Sequence, residues 1–326
     1  MHKVKDIFSI NTPQDLTKKA LQVFNYQYLN NLVYRKFCDL LLRDPAEVVS
    51  LEKIPFLPIE FFKTHKVISS KASEEITFTS SGTTGSQTSK HFVTDLGIYE
   101  ESFRSGFTHF YGSVENYAVL ALLPSYLERE GSSLIYMAQD LIEKSKNPAS
   151  GFYLHDLDSL VANLKKLEER GQKTLLIGVS FALLDLAENY SLNLKNTVVM
   201  ETGGMKGRRK EMIRTELHEV LKKGLGVENI HSEYGMTELL SQAYSLKNGI
   251  FECPPWMKIL IRDPEDALSL LPEGKSGGIN IIDLANINSC SFIATQDLGK
   301  NLDGQRTEIL GRFDNSDIRG CNLMVF

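Results

Sequence analysis

The stretch ITFTSSGTTGSQTSK, Ile76 to Lys90, crowds serine and threonine hydroxyls around Gly82 and Gly85 and ends on a lysine. It has little apolar surface to bury, so its value lies in hydroxyls, backbone N–H groups and close approach. A polyphosphate asks for these features. Gly82 and Gly85 admit backbone conformations costly to other residues, Ser80, Ser81, Thr83 and Thr84 offer donors, and Lys90 offers charge. No G-x-x-x-x-G-K-[ST] pattern occurs anywhere, so this is not a Walker A loop. An ordinary surface loop is the alternative reading of the same composition.

A second stretch, HSEYGMTE at 231–238, joins an aromatic ring (Tyr234), a turn-tightening Gly235, a hydroxyl (Thr237) and a carboxylate (Glu238). A ring can stack on a base, a hydroxyl can hold a phosphate, and a carboxylate can ligate Mg²⁺ beside it. Taken singly, the same residues read as a half-buried tyrosine, a helix-capping threonine and a solvated glutamate. Among the histidines, His65, His91 and His155 read as structural or site-lining, and His231 stands out by its nearness to the second stretch.

The elements that must position these residues alternate. TPQDLTKKALQVF opens as a helix with Thr12 as cap and Pro13 at the first position. Two prolines in IPFLPIEFFKTHKVIS favour extended chain. EEITFTS predicts a strand running into the hydroxyl-rich loop, followed by a helix over 96–110. YAVLALLP, KTLLIGVS, NTVVMETGG and ENIHSEY read as strands, with helices over 132–144, 156–171, 181–190 and 208–226 between them. Strands alternating with helices imply a mostly parallel sheet flanked by helices. Past residue 250, MKILIRD, GGINIID and CSFIATQD predict a smaller β-rich subdomain near the C-terminus. The expected division is an N-terminal helical segment over 1–75 packed on the core, an α/β core over 76–250, and the β-rich part with a hinge-like tail over 251–326. In an open α/β sheet, ligands sit beyond the carboxyl ends of the strands, and the loops at 79–90, 201–207 and 233–238 all follow strands there.

The 326 residues allow a large core, and 42% hydrophobic with 24% charged residues is an ordinary globular composition. A net charge of -5 argues against nucleic acid as a partner, and the basic run KGRRK at 206–210 is too short to overturn that. No apolar run approaches the ~18 residues of a membrane span, and the N-terminus lacks a signal-peptide core. Cys38, Cys253, Cys290 and Cys321 form no CxxC pair, which speaks against a disulfide scaffold or zinc site and for a cytoplasmic protein with reduced thiols.

Five matches in order tie the chain to a family. FTSSGTTGS and EYGMTE resemble the phosphate loop and nucleotide motif of the adenylate-forming superfamily, which includes acyl-CoA synthetases, adenylation domains and firefly luciferase. ETGGMKG (201–207) resembles the Gly-Gly segment lining the adenine and acyl sites, ATQDLG (294–299) the T-x-D-x-G motif, and GRFDNSD (311–317) the G-R-x-D hinge. A narrower resemblance rests on IPFLPIEFFKTHKV, LLPSYLEREGSSLIYM and the short tail after the hinge. These are similar to the acyl-protein synthetase of the bacterial luciferase operon, which is related to phenylacetate-CoA ligases.

The resemblance implies the adenylate-forming large-domain fold, with ATP and Mg²⁺ as cofactors. It also implies activation of a carboxylic, and in the narrower family fatty, acid to an acyl-adenylate, with transfer to a thiol. Ser80, Ser81, Gly82, Thr83, Thr84 and Gly85 would then hold the phosphates, and Gly203 and Gly204 would line the nucleotide site. Tyr234 and Gly235 would meet adenine, Thr237 the α-phosphate, and Glu238 the metal. Asp297 would accept from the ribose, and Arg312 would reach ribose or phosphate. Thr84, Glu238 and Cys321 carry the chemistry in this scheme, Cys321 taking the acyl group before a reductase partner receives it. A Cys321 flanked by Leu, Met, Val and Phe also reads as a small core residue. Coenzyme A or a carrier protein is the alternative acceptor, and a non-catalytic nucleotide- or acyl-binding subunit is the alternative class.

Two departures accompany the match. Lys90 lies five residues after Gly85, where the superfamily pattern places a lysine three after the second glycine. Other members of the superfamily continue for roughly a hundred residues into a lid domain that supplies a second lysine, whereas the narrower resemblance is to a chain that ends soon after the hinge. The lid lysine has no assigned equivalent here: either adenylation proceeds without it, or Lys206 or Arg312 substitutes, or a partner supplies it.

Overall fold

The structure, a computed structural model, describes residues 7–41, 44–80, 87–123, 131–154, 156–203 and 212–312. The chain opens with α1 (Pro13–Asn30) and α2 (Leu32–Leu40). The Thr12 hydroxyl caps α1 by accepting from the Asp15 N–H, and Pro13 needs no partner at the first position. The prolines that follow leave one short extended piece, β1 (Leu57–Pro58), and a single helical turn, α3 (Phe61–Thr64).

Then come β2 (Ile76–Thr79), β3 (Lys90–Val93), α4 (Leu96–Tyr111) and β4 (Ala118–Leu122). Next are α5 (Ser133–Ser145), β5 (Gly151–Phe152), α6 (Leu157–Glu169) and β6 (Thr174–Gly178). After them run α7 (Ser180–Asn189), β7 (Thr197–Glu201), α8 (Arg214–Leu225) and β8 (Ile230–Tyr234). The remaining strands are β9 (Ala243–Ser245), β10 (Ile250–Glu252), β11 (Met257–Arg262), β12 (Ser276–Asp283), β13 (Phe292–Asp303) and β14 (Arg306–Arg312).

These elements gather into two compact units: residues 73–254 form one, and 1–72 together with 255–326 form the other. In the 73–254 unit the sheet order is β10-β9-β8-β7-β6-β4-β5. From β5 to β8 the pairing is parallel, and β9 and β10 return antiparallel. The apolar runs AVLAL and TLLIG are buried at every residue of β4 and β6, as strands covered on both faces require. Helix α6 turns Leu160, Val161, Leu164 and Leu167 inward, the apolar stripe of an amphipathic helix.

Two details differ from the sequence reading. β2 and β3 pair antiparallel as a separate two-stranded sheet, so the hydroxyl-rich loop is the connection of a hairpin rather than a turn from strand into helix. Helix α8 begins at Arg214, because Ile213 is extended with φ -67 and ψ 150, and residues 208–211 of the helix expected from 208 lie outside the described residues.

In the other unit β11, β12, β13 and β14 form an antiparallel meander, with β1 parallel to β13. Strand β11 alternates, burying Met257, Ile259 and Ile261. The N-terminal helices join this unit through Gln27, whose amide donates to the carbonyls of Asn286 (2.9 Å) and Ile287 (3.0 Å) and accepts from the Ser291 N–H (2.9 Å). Tyr34 stacks on Phe292 at 6.0 Å beside them. Among the described residues no helix is long and apolar enough to cross a membrane.

Candidate active site

The site is built at the carboxyl ends of β7 and β8 together with the hairpin. Strand β8 ends at Tyr234, and the chain turns through Gly235. A Cβ at Gly235 would collide with Glu233 Oε1 and lie 3.2 Å from Gln242 Cγ, so a side chain there would displace the Glu233 carboxyl. Beyond it Thr237 is half-buried and Glu238 is 5% exposed, so the glutamate is no solvated surface residue. Tyr234 meets Phe251 edge-on at 6.1 Å.

The hairpin reaches this turn through one histidine. Thr79 pairs with Lys90 at the hairpin neck, the Ser80 N–H donates to the Ser89 carbonyl (3.1 Å), and the Ser89 N–H donates to Ser80 Oγ (2.9 Å). The Ser80 hydroxyl thus braces the neck of the hairpin. Lys90 is exposed on the strand, whereas its neighbour His91 is 1% exposed, with Nδ1 2.8 Å from the Thr237 carbonyl. A carbonyl only accepts, so His91 carries its proton on Nδ1. Behind the turn, the Ser102 and Ser241 hydroxyls lie 3.0 Å apart and tie α4 to the same segment.

Glu201 ends β7 at the entrance to the Gly-Gly segment. Its carboxylate is 5% exposed, and Oε2 accepts from Ser180 Oγ (3.2 Å) and from the Gly203 N–H (2.8 Å). Arg214 Nε and His218 Nε2 on α8 each lie 3.8 Å from Oε1. Burial alone would raise this group's pKa, but His218, Arg214, Ser232 and the Gly203 N–H overcome it and hold the carboxyl down at about 2. Gly203 has φ +73, a left-handed conformation suited to glycine, and the Glu201 bond fixes it there.

On β8, His231 and Glu233 share the strand face opposite Ser232 and Tyr234. Tyr111 Oη lies 3.3 Å from His231 Nδ1, and burial pushes this imidazole down to about 4, leaving it neutral at pH 7. Glu233 is half-buried by surface area, and desolvation together with repulsion from Glu201 pushes its carboxyl the other way, up to about 8. Among the described residues no hydrogen bond reaches the Glu233 carboxyl. The groups that sense its charge are Tyr99, Tyr111 and Tyr244.

Of the residues expected from sequence, Ser80, Gly203, Tyr234, Gly235, Thr237 and Glu238 lie in the 73–254 unit. Asp297 and Arg312 belong to the other, paired across β13 and β14 with Arg312 Nε 3.6 Å from Asp297 Oδ1. The Asp297 N–H donates to Thr295 Oγ1 at 3.1 Å. Ser81, Gly82, Thr83, Thr84, Gly85, Gly204, Lys206, His155 and Cys321 lie outside the described residues. His65 stacks on Phe61 at 5.1 Å. Cys38 and Cys290 are buried, and burial pushes the Cys38 thiol up to about 12 and Cys290 higher, making both poor nucleophiles. Among the described residues no group of three or more His, Cys, Asp or Glu gathers as a metal site. The sequence reading passed over His91 as a latch and over Glu201 and Glu233. Arg214 and His218, four apart on one helix face, were the available signal for Glu201, and HxE inside a strand was the signal for Glu233.

A parallel sheet with these loops at its carboxyl ends has the architecture of adenylate-forming ligases. The 2-hydroxyisobutyryl-CoA ligase in the postadenylation state with 2-HIB-AMP superposes with a TM-score of 0.67 at 12% identity, covering 93% of this chain and 68% of that one. ATP-bound MatB from Rhodopseudomonas palustris gives 0.54 at 19%, covering 75% of this chain and 49% of that one. No curated protein matches by sequence. The family described as "Acyl-protein synthetase, LuxE" matches residues 7–96 and 150–326, and the chain belongs to it. It is an acid–thiol ligase that activates a carboxylic acid as the acyl-adenylate and passes the acyl group to a thiol.

Proposed function

We propose that the hairpin loop and the 234–238 turn grip one ATP while a fatty acid is activated, and that Cys321 takes the acyl group. The His91 bond to the Thr237 carbonyl carries this reading, because it brings the neck of the phosphate loop against the turn that holds Glu238. A carboxylate is a poor electrophile. Attack on the α-phosphate of ATP expels pyrophosphate and leaves a mixed anhydride that a thiol opens readily. The protein's task is to hold two anions in line against their repulsion, so positioned donors dominate.

Ser81, Gly82, Thr83, Thr84 and Gly85 take the phosphates in this scheme. Thr237 meets the α-phosphate, Tyr234 stacks on adenine, and Gly203 and Gly204 line the nucleotide. Asp297 accepts from the ribose, with Arg312 beside it. Glu238, a single buried carboxylate in this turn, fits Mg²⁺, which is held mainly by phosphates and water and needs one or two protein carboxylates. Bound there, Mg²⁺ supplies charge neutralisation to the phosphates. With Cys38 and Cys290 buried and their pKa values raised, Cys321 is favoured over them as nucleophile. An acyl-CoA-reductase-like partner in the cytoplasm would then receive the acyl group.

Coenzyme A is the second acceptor, favoured by the related fold of 2-hydroxyisobutyryl-CoA ligase in complex with 2-HIB-AMP and CoA. ATP–pyrophosphate exchange over a panel of carboxylic acids tests the reading. Exchange driven by fatty acids of one chain-length class is expected, and no exchange with any acid would remove it.

A further inference from the structure

Resting on the activation reading above, we infer that Glu233 works as a neutral carboxylic acid whose hydroxyl donates a hydrogen bond to the non-attacking carboxyl oxygen of the acid substrate. Three observations converge on it. Its carboxyl lies against the glycine of the nucleotide turn, in van der Waals competition with any side chain there. It has no hydrogen-bond partner among the described residues, although it sits at the strand ends where an α/β sheet receives its ligand. The titratable groups coupled to it offer no counter-charge: Tyr244, its register partner on β9, Tyr99 and Tyr111 on α4, the anionic Glu201 on β7 and, on its own strand, neutral His231. The basic side chains nearby, Arg214 and His218, are turned to Glu201.

ATP and a substrate carboxylate bring further negative charge to this place, which favours the protonated form of Glu233 still more. The donor then does the same work twice. During adenylation it orients the substrate: one carboxylate oxygen bonds to the α-phosphorus, the bond from phosphorus to the bridging oxygen breaks, and pyrophosphate leaves with the electron pair. During transfer, the oxygen it touches is the anhydride carbonyl: the thiolate bonds to the acyl carbon, this oxygen gains negative charge, and the charge returns as the bond from that carbon to the phosphate oxygen breaks and AMP leaves with the electron pair. The proton stays on Glu233 throughout. A carboxylic acid kept neutral in order to donate is a known device of enzyme sites.

The test is ATP–pyrophosphate exchange by the full chain, measured against pH for wild type, Glu233→Gln and Glu233→Ala, each checked by thermal melting. Wild-type exchange should fall with alkaline pH, with an apparent pKa at or above about 8. Glu233→Gln, which keeps an N–H donor, should stay within about tenfold of wild type and lose the alkaline decline, whereas Glu233→Ala should fall about a hundredfold at all pH values. Equal loss in both variants, or an unchanged alkaline decline in Glu233→Gln, overturns the inference while leaving activation intact. A wild-type profile flat to high pH overturns it without any variant. Absence of wild-type exchange with every acid removes the activation reading itself and this inference with it.

Discussion

At the scale of single residues, the two carboxyls at the ends of neighbouring strands are driven in opposite directions. Glu201 is held ionised by Arg214, His218, Ser232 and the Gly203 N–H, down to about 2, while Glu233 is raised to about 8. A depressed carboxyl contributes stability above its ordinary value near 4.5 that is lost as pH falls towards 2. A raised one contributes stability below 4.5 that is lost as pH rises through about 8. Thermal melting between pH 5 and pH 8 should therefore show Glu233→Gln gaining on wild type as pH rises. Parallel curves would mean that Glu233 ionises normally in the folded chain. Glu238→Ala makes a separate prediction. If this carboxylate holds Mg²⁺ on the phosphates, pyrophosphate exchange should disappear while the melting temperature changes little, and undiminished exchange would remove Glu238 from the site.

At the scale of elements, the β2–β3 hairpin is attached to the turn by the His91 ring. Replacing it by Phe keeps a buried ring and deletes the bond to the Thr237 carbonyl. A net hydrogen bond is worth about 1 kcal/mol, so the stability cost of His91→Phe should be small. The KM for ATP should rise more than kcat falls, and an unchanged KM would show that the latch does not set the loop. This latch marks what the sequence could and could not say. The apolar runs of β4 and β6 and the periodicity of α6 announce themselves, because burial on both faces or one stripe leaves a pattern in the residues. Strand β3 does not: KHFV is short, follows a loop of small polar residues, and becomes a strand only because β2 pairs with it. The Gly-Gly and EYGMTE motifs were readable as local spelling. The charges of Glu201 and Glu233 were not, since they depend on α8 and α4 being folded against the sheet.

At the scale of the whole molecule, the destination of the acyl group distinguishes Cys321 from coenzyme A as acceptor. Incubation with ATP and a fatty acid followed by mass spectrometry should find a thioester on Cys321 in the wild type and none in Cys321→Ser. Acyl-CoA formed by Cys321→Ser in the presence of coenzyme A would assign the acceptor to coenzyme A instead.

The clamp made by Gln27 has a consequence for biosynthesis. Its carbonyl oxygen waits for an amide 264 residues further on. At ribosomal rates of roughly 5–20 residues per second, that delay lasts on the order of ten seconds to a minute. Meanwhile the whole 73–254 unit emerges between the two partners. On the inward face of α1, Phe24 meets Tyr34 of α2 early in synthesis but gains Phe292 only when β13 arrives, so this part of the core is completed late.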